Sequence, residues 1–112
     1  MTETAAKPIP EKPPHPGVLA AQIRKLAKAG AYSYGPHVFE RQDLRGIGIP
    51  DAVEVMTLGE IDPHVEAGIN PGEWKCKMVA KVDKSSRNLG VAVVVISANH
   101  LFITTVEWED TK

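Results

Sequence analysis

The sequence is poor in the residues that build disulfide frameworks, metal sites and membrane spans. Its single cysteine, Cys76, excludes an intrachain disulfide, and no CxxC or Cys/His spacing predicts a zinc site. No apolar run approaches the roughly 18 residues that a bilayer-spanning helix requires. The N-terminus also has no apolar segment typical of a secretory signal. We therefore expect a cytoplasmic protein that needs no membrane, metal or cofactor.

An excess of either charge is absent as well, because 13 Lys and Arg stand against 14 Asp and Glu. This balance disfavours a protein that coats nucleic acid through bulk electrostatics. The charges are nevertheless segregated, since residues 51–73 are acidic without any Lys or Arg, whereas residues 74–87 are mainly basic. The basic residues of this second segment are Lys75, Lys77, Lys81, Lys84 and Arg87. The pattern allows a local basic site.

The two ends of the chain differ in composition. Residues 1–16 contain five of the nine prolines, and proline removes a backbone donor and disfavours helix in the residue before it. Little apolar surface is present there to offset the entropy of ordering. We therefore predict a flexible tail over residues 1–16 and a single α+β domain over residues 17–110, a length that suits one core.

The first half of the domain carries helical signals. Apolar residues recur every three to four positions after residue 17, and Pro36 and Pro50 each suit the first turn of a further helix. The predicted elements are a helix over residues 17–29, an extended linker at 32–34, and helices over 36–45 and 50–58.

From residue 60 the hydrophobic period changes to two, which predicts strands. The predicted elements are a short strand at 60–62, a loop over 63–73, and strands over 74–82, 89–96 and 101–108. The strand of residues 89–96 is almost wholly apolar, so we expect both of its faces to be covered. Helices followed by strands predict an α+β fold, with N-terminal helices packed on a three- to four-stranded, mainly antiparallel sheet. Cys76 should pack in its core.

The predicted second helix carries the first candidate site. His37, Arg41 and Arg45 recur every four residues and would share one helix face. A histidine can move a proton near neutral pH, and the arginine fork binds phosphate or carboxylate. Such a face could cleave a phosphodiester without a metal. The alternative is a structural network in which the arginines bind nearby carboxylates.

The second candidate site is the lysine face of the strand over residues 74–82. Lys75, Lys77 and Lys81 project from one side, with a spacing suited to a series of phosphates. Lysine on phosphate oxygens supplies affinity more than sequence choice. The alternative is a solvated outer face, since lysines also protect exposed strands from aggregation.

A longer stretch of the chain resembles a known family. From residue 37 it reads HVFER, then RGI, DAVEV and GEI, and the last strand contains ITTV. This order resembles DUF4258, a bacterial domain of unknown function with a pattern similar to H-A-x-E-R-M-x-x-R-G-I, a short helix, G-E-I and a final I-T-x-Y-type strand. The resemblance covers residues 37 to 107, approximately.

The order of elements also resembles the RelE-type toxin fold, especially its MqsR subgroup. Families of that fold include endoribonucleases, and many are held by an antitoxin. RelE-like nucleases often place a tyrosine on the sheet, whereas Tyr32 and Tyr34 precede the sheet here. No catalytic residue is therefore carried over from those families.

Two functions fit these residues. The first is a toxin-like, metal-independent endoribonuclease or RNA-binding protein, in which His37 moves a proton while Arg41 and Arg45 bind phosphate. The alternative is a non-catalytic module whose basic face binds an acidic protein such as an antitoxin. The shared helix face of His37, Arg41 and Arg45 and the resemblance favour the first, whereas the net charge of −1 and the missing sheet tyrosine favour the second. Whether the protein is an enzyme stays open at this point.

Overall fold

The computed structural model of the protein describes residues 13–82, 86–97 and 99–110. Residues 1–12 of the predicted tail lie outside the described residues. The described part confirms the α+β class, with two α-helices and a six-stranded sheet. Its elements are α1 (Pro16–Lys28), β1 (Tyr32–Tyr34), a 3-10 helix (Gln42–Leu44), α2 (Ile49–Leu58), β2 (Glu60–Ile61), β3 (Glu66–Ala67), β4 (Trp74–Lys81), β5 (Asn88–Ser97) and β6 (His100–Trp108).

Helix α1 forms where the apolar period predicted it. His15 caps its start, because the imidazole Nδ1 accepts a hydrogen bond from the Gly17 N–H at 2.9 Å. Pro16 is the first helical residue, where a missing N–H costs nothing. Gly30 follows the end with a φ of 72°, a conformation that glycine adopts without strain. No helix in the described residues is long and apolar enough to cross a membrane.

The predicted helix over residues 36–45 is wrong. Residues 36–39 form a turn, and only Gln42–Leu44 follow as a 3-10 helix. Contacts with the sheet hold this connection in a conformation that is not α-helical. The indole N–H of Trp108, for example, donates to the Asp43 carbonyl oxygen at 2.5 Å. Phe39 packs edge-on against Tyr34, with ring centroids 5.8 Å apart. These tertiary contacts replace the backbone hydrogen bonds that a helix would have made.

The sheet is larger than the predicted three to four strands. Its order is β1-β6-β5-β4-β2, and β3 also pairs with β4. The pairing of β1 with β6 is parallel, and the other pairings are antiparallel. The predicted linker at residues 32–34 is therefore a strand, and the predicted loop over 63–73 contains the two-residue strand β3. Both are short edge strands: β1 pairs with a segment far along the chain, whereas β3 pairs with the nearby start of β4.

One side of the sheet packs against both helices. The side chains of β4 to β6 alternate, and one alternate set joins buried residues of α1 and α2 in a single cluster. Full burial of each large aliphatic side chain contributes about 1.5–3 kcal/mol. The sheet residues of this cluster are Cys76, Met78, Leu89, Val91, Val93, Val95, Leu101, Ile103, Val106 and Trp108.

No helix of the described residues lies over the other side of the sheet, and we call this side the open face. The predicted cover on both faces of the strand over residues 89–96 is therefore wrong. On this side Ala92, Val94 and Phe102 are only half-buried, and Ile96 is 41% exposed. The apolar character of β5 thus exceeds what the core requires.

Candidate functional site

The strand register arranges the open face into rows. One row runs across four strands, because Lys75 pairs with Val94, Val94 with Phe102, and Phe102 with Ser33. At the β1 end of this row, the Ser33 hydroxyl and His100 Nε2 share a hydrogen bond of 2.9 Å. Side chains opposite one another on neighbouring strands lie in contact range. The row therefore presents half-buried apolar groups between a cationic end and a polar end.

The three predicted lysines lie on the open face, but their surroundings differ. Lys75 and Lys81 are exposed, and neither forms an ion pair with any residue that the structure describes. Lys77 is different, because its ammonium lies 2.9 Å from the carboxylate of Glu109. Only two of the three lysines are thus available to an outside anion.

The ion pair of Lys77 forms over a glycine. Lys77 and Glu109 reach toward each other over Gly90 of the intervening strand β5, where a Cβ atom would collide with the Glu109 carboxylate. The hydrogen bond that the Lys77 ammonium donates to Glu109 raises the pKa of Lys77 above its ordinary value, against a smaller lowering by burial. Further contributions that raise this pKa come from the charges of Asp62 and Glu107.

Arg41 also binds carboxylates of its own chain. Its Nη2 lies 3.0 Å from Asp43 Oδ2 and its Nη1 lies 3.5 Å from Glu107 Oε1. His37 forms its contact locally, with Nδ1 2.7 Å from Glu40 Oε1. Arg45 is exposed beyond the 3-10 helix. Because no α-helix forms here, the predicted common face of His37, Arg41 and Arg45 does not exist.

Two acidic residues that were not predicted as part of a site bind basic residues of both predicted sites. Glu107 and Glu109 stand two residues apart at the end of β6 and bind Arg41 and Lys77, respectively. The structure therefore brings Arg41 and Lys77 to neighbouring carboxylates, although they belong to different predicted sites. The signal was the alternation Glu-Trp-Glu, which places both acids on the side opposite the buried Trp108.

A depression of 230 Å³ lies beside Lys75 and Lys77. Its wall contains His64, whose Nε2 lies 2.9 Å from Glu66 Oε2, and Asp62, whose carboxylate accepts the His64 backbone N–H at 2.8 Å. The Asp62 N–H in turn donates to the Lys77 carbonyl oxygen at 2.8 Å, which fixes this loop against β4. No group of three metal-binding side chains converges within the described ranges.

The thiol of Cys76 lies under the sheet rather than on the open face. It is buried, and burial raises its pKa from 9.0 to about 11. A thiol in this state is a poor nucleophile, because the thiolate is the reactive form.

The open face thus combines a half-exposed apolar row, two lysines available to an outside anion, and two cations bound by in-chain carboxylates. This arrangement can bind a surface with both apolar and acidic groups. Comparisons with protein-family models, with curated proteins and with solved structures each find no match to the chain.

Proposed function

We propose that the domain is a protein-interaction module whose open face binds an acidic partner. The observation that carries this proposal is the row in which Val94 and Phe102, both only half-buried, lie next to Lys75. Apolar patches rimmed by polar residues are typical of protein interaction sites. The ammonium of Lys75 would attract a partner's carboxylate and fix its orientation.

The in-chain ion pairs favour a protein partner over a polyanion. Binding to a series of phosphates draws its affinity from cations that release counterions. Here Lys77 and Arg41 already have carboxylates beside them, and those same carboxylates would repel phosphates. A protein surface can instead bury the apolar row, so that its affinity does not depend on the number of free cations.

A peptide selection tests this proposal. A random-peptide display library would be selected on the immobilised wild type, and the enriched peptides measured by fluorescence anisotropy. We expect acidic peptides with apolar residues, and we expect Val94→Lys to weaken their binding by about tenfold or more, because it places a charge in the apolar row.

Val18→Lys is the matched control, since Val18 is 60% exposed on α1. It should leave the affinity close to that of the wild type. Peptides without acidic residues, or peptides that bind the Val94 and Val18 variants equally, would contradict the proposal.

A second function, cleavage or binding of RNA by a toxin-like protein, is favoured by Glu107. This carboxylate lies 3.5 Å from Arg41 and near enough to Lys77 to raise its pKa. A carboxylate can accept a proton from a 2′-hydroxyl, while Arg41 and Lys77 stabilise the charge on phosphorus. The order of elements, which resembles that of RelE/MqsR-type toxins, supports the same function.

Expression in a bacterial host tests the RNA function. Growth and the integrity of total RNA would be followed after induction of the wild type, of Glu107→Gln and of the double variant His37→Ala/Arg41→Ala. Arrest with loss of RNA in the wild type alone would support a nuclease.

Affinity for RNA would be measured in parallel. A phosphate track predicts a steep fall in affinity between about 50 and 200 mM salt, with a shallower slope when Lys75, Lys77 and Lys81 are all alanine. Absence of RNA binding even at low salt, together with normal growth, would remove this second function.

A further inference from the structure

The end of β6 presents a short acidic segment to cations of the open face. Glu107 belongs to β6 and Glu109 follows its last residue, and both carboxylates lie near enough to Lys77 to raise its pKa, Glu109 chiefly through a hydrogen bond and Glu107 through its charge. Their cationic partners come from other parts of the fold, Arg41 from the connection before α2 and Lys77 from β4. The protein therefore already holds carboxylates at the place where an acidic partner would supply its own.

The backbone of Glu109 is held by a hydrogen bond, whereas one oxygen of its carboxylate has no hydrogen-bond partner among the described residues. Its N–H donates to the Asn88 carbonyl oxygen at 2.9 Å. Its Oε2 atom is buried and has no hydrogen-bond partner among the residues that the structure describes. A buried acceptor without a donor costs free energy, which makes this carboxylate easier to displace than one with both oxygens bonded.

Both ion pairs are accessible to exchange. The side chains of Arg41 and Glu107 are 43% and 41% exposed, and those of Lys77 and Glu109 are 29% and 25% exposed. Ion pairs in contact with water contribute little on average and weaken with salt. Replacing an in-chain carboxylate with one from a partner is therefore close to neutral, and the apolar contacts of the partner decide the outcome.

We propose that Glu107 and Glu109 are built-in competitors for the acidic partner of the open face. The partner would be an extended acidic segment with carboxylates two residues apart, which binds Arg41 and Lys77 and displaces the in-chain pair. This inference rests on the proposed interaction function and specifies its partner. It also means that the C-terminal end of β6 lowers the affinity of the free domain.

The first test removes one competitor. The probe is a fluorescent peptide of alternating Glu and Val residues, measured by anisotropy. Glu109→Gln should bind it about threefold to fivefold more tightly than the wild type, because Lys77 becomes available. Glu60→Gln is the matched control, because Glu60 is an exposed acid on β2. This substitution removes the same charge without freeing Lys77. Equal gains in both variants would overturn the inference, because net charge alone would then explain them.

The second test leaves every charge in place. Gly90→Ala adds a Cβ where the Glu109 carboxylate lies, and the far end of that flexible side chain must move. We expect tighter peptide binding together with a fall in the pKa of Lys77, which NMR titration can follow. A lower Lys77 pKa without any gain in affinity would overturn the inference.

The two proposals fail in different ways. If Val94→Lys abolishes peptide binding while Glu109→Gln and Gly90→Ala change nothing, the interaction surface stands and only the competitor is refuted. If neither the wild type nor any variant binds the acidic peptide, the acidic partner itself is refuted, and both proposals fall together.

Discussion

The ammonium of Lys77 and the carboxylate of Glu109 meet at 2.9 Å over the bare backbone of Gly90. The pair joins two strands that are not neighbours in the sheet, since β5 lies between them. A side chain at position 90 would force the Glu109 carboxylate to move from this place. The glycine therefore leaves room for the contact between β4 and the residue that follows β6.

This pair predicts a dependence of stability on alkaline pH. The pKa of Lys77 is raised above 10.5 in the folded protein, so the stabilisation is fully present below that pH and is lost as pH rises through the raised value. Urea unfolding of the wild type and of Glu109→Gln should show a difference near neutral pH that shrinks as the pH rises past 10.5 and through the raised pKa of Lys77. Cys76 titrates in both proteins and cancels in the comparison. A difference that persists unchanged at high pH would contradict the assigned ion pair.

The buried thiol of Cys76 predicts slow chemical modification. Since its pKa is raised to about 11 and the side chain is buried, a thiol reagent should label the native protein slowly at pH 8 and rapidly after unfolding. Lys81→Cys on the same strand is the control, because position 81 is exposed. If Cys76 in the folded protein reacts as fast as the introduced cysteine, its burial is wrong.

The hydrogen bond from Trp108 to Asp43 predicts how the connection before α2 is held. Trp108→Phe removes the indole N–H that the Asp43 carbonyl oxygen accepts, and it alters the ring over which Arg87 lies at 4.5 Å. We expect a loss of about 1–2 kcal/mol in the free energy of unfolding. Amide exchange should also become faster around Arg41.

Trp74→Phe serves as the matched control for that variant, because Trp74 is a half-buried tryptophan at the start of β4. It should leave the exchange near Arg41 unaltered. Identical exchange in the Trp108 variant and the wild type would show that other contacts hold the connection.

Asp51 predicts a helix-capping effect at α2. It is 6% exposed, and its Oδ2 accepts the Gly48 N–H at 2.9 Å at the first turn of the helix. Asp51→Ala should destabilise the protein by about 1–2 kcal/mol in chemical denaturation. Asp51→Asn keeps an acceptor and should cost less than the alanine variant. Equal losses in the two variants would argue against the capping role.

Much of the fold could be predicted because, in several elements, the hydrophobic periodicity of the sequence identifies the face that is buried. This holds for α1, α2 and the three long strands, in which local pattern and tertiary packing agree. The segment over residues 36–45 has a proline and charged residues suited to a helix, but a tryptophan 65 positions away holds the Asp43 carbonyl in another conformation. No local pattern contains that contact.

The candidate site was predictable in part for the same reason. Alternation along β4 correctly places Lys75, Lys77 and Lys81 on one face of the sheet. Their counter-ions were not predictable, because Glu109 comes from the far end of the chain and reaches Lys77 only through the strand order. The segregation of charge along the sequence allowed a local basic site, and in the folded chain Glu109 neutralises part of that site by pairing with Lys77.

The most direct test of the open face as a docking surface compares two lysine reversals. Lys75→Glu changes the cationic end of the apolar row, and Lys25→Glu makes the same change on the exposed surface of α1. Affinities for the acidic peptide selected on the wild type would be measured by anisotropy. We predict that Lys75→Glu weakens binding by about tenfold or more, while Lys25→Glu changes it by less than about threefold. Equal losses in the two variants would mean that only overall charge attracts the peptide, and the open face would then not be its binding site.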